Sequence, residues 1–138
     1  MANKELFLTS YLMLIAHTFA LFIYHPPFLI FIIYMIGPLV SIWNHGVSSI
    51  IAKYMDRFIM IIGYFIDLLY IYKLKNIYIF ILINLTVICY IMSKITKINS
   101  FHLLAHLLII LTHYILLYYY YYHYFYNPKI PKKGFKEN

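Results

Sequence analysis

Ser41 and His45 stand four residues apart, Asp56 follows eleven residues after His45, and His102 and His106 form a second pair spaced by four. Residues four apart share one face of an α-helix. Three neutral imidazoles are suitable zinc ligands and leave a fourth coordination position for water. The metal lowers the pKa of that water from about 15.7 toward about 7, producing hydroxide at neutral pH. An aspartate beside it can accept the proton or orient the water, and a serine hydroxyl can bond the water or the substrate oxygen. His45, His102 and His106 are therefore the expected metal ligands, with Asp56 and Ser41 as the expected catalytic pair. The expected chemistry is zinc-dependent hydrolysis, with hydroxide attacking a carbonyl.

The elements that must hold these residues are apolar. Of 138 residues, 64% are hydrophobic and only 11% charged, with a mean hydropathy of +0.80. A soluble domain carries about 25% charge, so the composition excludes that class. The fold class expected is all-α: a polytopic transmembrane helix bundle of about five spans, because each crossing needs roughly 20 apolar residues. The spans read as 6–24, 28–44, 56–72, 77–92 and 100–122, forming one bundle over 1–126, with a basic flexible tail at 127–138. His25-Pro26-Pro27 ends the first span, and Gly37-Pro38 marks a kink in the second. Residues 46–55 are less apolar and read either as a connector or as a helical continuation.

Eleven Lys or Arg stand against four Asp or Glu. The lysines fall between and after the apolar runs, where they flank spans and meet anionic lipid head groups. Lipid bilayer and a membrane lipid substrate are thus the expected partners, and nucleic acid is not. The cations divide almost evenly between the two faces, so they do not orient the chain. Cys89 is the only cysteine, which rules out an intramolecular disulfide. Trp43 and the tyrosine run 118–122 read as interfacial anchors.

Span parity brings the chemistry to one level. The second span ends on the face where the first begins, and the third and fifth begin there too. Ser41, His45, Asp56, His102 and His106 therefore fall at a common depth. Ionisable and imidazole groups inside a membrane are costly, which makes them functional candidates by default.

A serine four residues (one helical turn) before a histidine, the aspartate eleven residues on, the stretch Asp56-Arg57-Phe58-Ile59-Met60-Ile61, and His102-Leu103-Leu104-Ala105-His106-Leu107-Leu108 together resemble the CREST superfamily of membrane hydrolases. The local text looks most like alkaline ceramidases, in a reduced form with fewer spans than the family's usual seven. The resemblance covers about 40–62 and 100–111. It implies that His45, His102 and His106 bind zinc while Asp56 and Ser41 position the nucleophilic water.

A second polar layer is expected deeper in the bundle. Asp67 lies eleven residues after Asp56 and His113 eleven after His102. Eleven residues make about three helical turns and rise about 16 Å, keeping each on its partner's stripe. Asp67 and His113 are expected to pair, with His17 and Asn84 as further partners. Two other functional classes fit parts of the chain. A haem-binding anchor subunit of a respiratory complex would use paired histidines, and His45 followed by Asp56 resembles the haem-and-quinone segment of succinate dehydrogenase anchors. A non-catalytic structural membrane protein would use the histidines as interhelical hydrogen-bond partners.

Overall fold

A computed structural model describes residues 3–47 and 49–126; the expected basic tail lies outside them. Five helices follow one another: α1 Lys4–Tyr24, α2 Phe28–Gly46, α3 Ile50–Leu74, α4 Ile77–Thr96 and α5 Asn99–Tyr121, the last running into a π-helical turn at Tyr122–Tyr126. The described residues form no strands.

Local chemistry sets the boundaries. The Asn3 side chain accepts a hydrogen bond from the Leu6 amide at 3.1 Å, and Asn76 accepts from the Tyr78 and Ile79 amides at 3.0 and 3.2 Å. These bonds satisfy amides that the first helical turn leaves unpaired. At the other ends His25, Lys75 and Lys97 adopt left-handed backbone conformations at φ 42, 53 and 59°. Such residues reverse the chain tightly after a helix. After His25, Pro26 and Pro27 bar any continuation of α1. Pro38 sits buried inside α2, which runs through it.

The less apolar stretch after α2 resolves into a short link and the first turns of α3. Ser49 caps α3 by accepting from the Ala52 amide at 3.4 Å, so the helix begins six residues before Asp56. Around the bundle the helices pack in the order α4, α5, α1, α2, α3, with α3 returning to touch α4 and α5 more sparsely. Helices α1, α2, α4 and α5 are each long and apolar enough to cross a membrane. Helix α3 has the length, at 25 residues, but carries Lys53, Asp56, Arg57, Asp67 and Lys73.

Packing divides the bundle into two halves. Leu21, Ile30, Ile66, Ile83 and Leu116 belong to one continuous apolar cluster. They come from the ends of α1, α3 and α5 and the beginnings of α2 and α4. The opposite half is where buried polar groups gather. Large apolar side chains such as Phe22, Phe28, Phe65 and Ile81 point outward on all sides.

Candidate metal centre

His45 occupies the last turn of α2, and His102 and His106 occupy the first two turns of α5. All three are buried. One ring nitrogen from each lies within 4.8 Å of the other two, so the described residues hold a cluster that can bind a metal ion. The rings form a nearly equilateral triangle, with centroid separations of 4.9, 5.1 and 5.6 Å. His45 Nε2 is buried and has no hydrogen-bond partner. A buried polar atom without a partner costs about 1–3 kcal/mol, so its presence here asks for a ligand.

One tautomer of His106 suits its neighbour. Thr9 Oγ1 lies 3.0 Å from the Leu6 carbonyl and 2.9 Å from His106 Nδ1. A hydroxyl has one hydrogen, and the carbonyl can only accept. With that hydrogen on the carbonyl, His106 Nδ1–H donates to Thr9 and its Nε2 keeps a free lone pair. This is the outer-shell support that metal-binding histidines ordinarily have.

The same hydrogen count applies to Ser41, one turn before His45 and buried. Ser10 Oγ lies 2.8 Å from the Leu6 carbonyl and 3.0 Å from Ser41 Oγ. With the Ser10 hydrogen on the carbonyl, Ser41 donates to Ser10 and keeps its lone pairs as an acceptor. Asp56 is buried on α3, where Asn44 Nδ2 donates to its Oδ2 at 2.7 Å. The carboxylate is not a fourth member of the imidazole cluster. Asn44, the residue before His45, ties it to the end of α2.

A cavity of about 310 Å³ opens beside the cluster, with His45, His102, Asn44 and Tyr90 among its walls and Lys53, Arg57, Lys94 and Lys97 around it. The Tyr90 ring stands edge-on to His102 at 5.3 Å.

Deeper in the bundle, His113 Nε2 and Asp67 Oδ2 meet at 2.9 Å. His113 Nδ1 contacts His17 Nε2 at 2.6 Å, and His17 Nδ1 contacts the Met13 carbonyl at 2.6 Å. Tyr34 donates to Asp67 Oδ1 at 2.7 Å and stacks on His113 with centroids 3.8 Å apart. Asn84, expected in this layer, instead accepts from Tyr64 at 3.1 Å.

The residues that spacing alone did not single out are Thr9, Ser10, Asn44 and Tyr34. Ser10 and His17 are seven apart, two turns along one face of α1, and that period was the available signal. Comparison of the chain with protein families, with curated proteins and with solved structures returned no match.

Proposed function

We propose that the chain is a multi-pass membrane protein that binds zinc at His45, His102 and His106 and hydrolyses a lipid amide or ester. The observation that carries this reading is the convergence of three buried imidazoles from two helices, one of them with an unpartnered nitrogen.

The donor set suits the ion. Zinc prefers imidazole at about 2.0–2.1 Å, and tetrahedral geometry then spaces the nitrogens about 3.3 Å apart. Small side-chain rotations reach that spacing from the observed separation of under 4.8 Å. A haem fits less well. In a near-equilateral triangle of rings, the plane midway between any two passes through the third, where a macrocycle would meet an imidazole.

When bound, zinc would supply a Lewis acid for the carbonyl and a water acidic enough to react near neutral pH. The chain's own groups do the rest. Asn44 occupies Asp56 Oδ2, leaving Oδ1 to accept the proton of the attacking water. As the water oxygen bonds to the carbonyl carbon and the carbon–nitrogen or carbon–oxygen bond breaks, Oδ1 returns that proton to the leaving amine or alcohol. Ser41, with its hydrogen committed to Ser10, accepts a hydrogen bond from the water or from a substrate hydroxyl. The outward apolar side chains favour a bilayer around the bundle, from which an acyl lipid can arrive laterally. The likeness of 40–62 and 100–111 to alkaline ceramidases supports a ceramide-like amide.

Elemental analysis of the purified protein tests the reading. We expect one zinc per chain, lost in His102→Ala, together with release of fatty acid from an N-acyl lipid by the zinc-loaded protein only. A wild-type chain that takes up no zinc would remove the proposal.

A further inference from the structure

The cavity beside the histidines is bordered by four positive side chains, Lys53 and Arg57 from α3 and Lys94 and Lys97 from the end of α4. All four are exposed. The sole carboxylate close by, Asp56, is buried and already bonded to Asn44. Among the described residues none of the four cations is within ion-pair distance of a carboxylate. Like charges gathered in this way repel one another unless an anion sits among them.

The cations are also tied to the metal centre. Lys94 Nζ stands 4.8 Å above the Tyr90 ring, whose other neighbour is His102 at 5.3 Å. His45 and His102 form part of the same cavity wall. A molecule that placed an anionic group among the lysines would therefore extend its next few bonds toward the imidazoles. The far end of the bundle offers a contrast: Lys73 stands over the Tyr70 ring at 5.2 Å, with no buried histidine beside it.

We infer that this basic mouth seats a phosphate-type anion, and that the substrate is an acyl lipid whose anionic head group binds Arg57 and Lys94 while its carbonyl reaches the histidine cluster. The inference rests on the hydrolase reading for the role of the carbonyl; the anion seat stands on the cations alone. Arg57 presents a planar fork suited to two phosphate oxygens, and Lys94 adds a compact charge. The seat selects among lipids by their head groups, while the apolar bundle leaves the acyl chain in the bilayer.

The test uses the zinc-loaded full-length protein in mixed micelles and two lipids with the same N-acyl chain, one ending in a free hydroxyl and the other in its phosphate monoester. We expect the phosphate lipid to bind at least about tenfold more tightly. Arg57→Gln with Lys94→Gln should remove that preference and leave one zinc per chain. Lys73→Gln with Lys75→Gln, at the other end of the bundle, should leave the preference intact. Inorganic phosphate forms the second arm. Weak competition assigns the anion to the lipid head group; competition as strong as that of the phosphate lipid assigns it to free phosphate, upholding the seat and removing the lipid assignment. Equal binding of the two lipids, or a preference untouched by the Arg57 and Lys94 substitutions, overturns the inference. Failure of hydrolysis with the binding preference intact would count against the hydrolase reading and not against the seat.

Discussion

Each contact between two polar atoms in the deeper layer must contain a hydrogen, and counting them fixes the charge of the whole group. The Met13 carbonyl accepts, so His17 Nδ1 carries one. A second lies between His17 and His113, and a third between His113 and Asp67. Three hydrogens on two imidazoles and one carboxyl make an assembly with no net charge, wherever along the chain of contacts the hydrogens sit. That neutrality is how an aspartate is accommodated at this depth, where an isolated charge would be expensive. Asparagine at the same position preserves the pattern: its amide can donate to His113 Nε2 while its oxygen accepts from Tyr34. We expect Asp67→Asn to melt close to wild type in detergent, and Asp67→Leu to lose about 2–5 kcal/mol because Tyr34 and His113 are left unpaired. Equal melting of the two variants would show that the layer contributes no stability through hydrogen bonding. Sequence disclosed Asp67, His113 and His17 because ionisable groups are scarce in this chain and their spacing is helical. It hid Tyr34 among seventeen tyrosines. It hid Thr9 and Ser10 because hydroxyls in apolar helices commonly bond to their own backbone carbonyls, as both do here, without any further role.

At the scale of helices, the histidine cluster depends on how closely α1 and α2 approach at the end where His45 lies. Gly46, the last residue of α2, faces the Phe7 ring of α1, and a Cβ there would stand 2.8 Å from the ring. Phe7 also stands edge-on to Tyr11 at 5.0 Å, which restrains how far it can turn aside. Thr9 and Ser10, which orient His106 and Ser41, are the next turn of the same helix. Enlarging residue 46 should therefore push α1 away and disturb both. We expect Gly46→Val to cost about 1–3 kcal/mol by overpacking and to weaken zinc binding. Removing the obstructing ring should relieve it, so Phe7→Ala combined with Gly46→Val should recover zinc affinity relative to Gly46→Val alone, a coupling that a double-mutant cycle measures. Strict additivity would mean that the close approach has no bearing on the site. The five helices were legible because the apolar runs and their Pro and Lys punctuation are strong. The start of α3 was not, because its first turns are polar and the Ser49 cap is an ordinary serine until the Ala52 amide is seen beside it.

For the molecule as a whole, α3 is the helix whose charges bear most on how the chain crosses a bilayer. The contacts among the imidazoles bring the end of α2 and the beginning of α5 to one level. Between them lie only α3 and α4, so one must travel away from that level and the other must return. If the apolar α4 spans the membrane, α3 has to span it as well. Its charges are distributed to allow this. Lys53, Asp56 and Arg57 lie in the first two turns, at the level of the histidine cluster, and Lys73 lies in the last turn. Only Asp67 falls in the interior, where Tyr34 and His113 satisfy it. The sequence alone made the shared depth of His45, Asp56 and His102 visible through parity, a property of chain direction that needs no side-chain geometry; the distances between the rings had no such signature. Single cysteines placed in a Cys89→Ser background would read the topology directly. With a reagent that does not cross the bilayer, Lys53→Cys and Lys97→Cys should label from one side of sealed vesicles and Lys73→Cys from the other. Labelling of Lys53→Cys and Lys73→Cys from the same side would mean that α3 does not cross and that span parity does not set the depth of the histidines and Asp56.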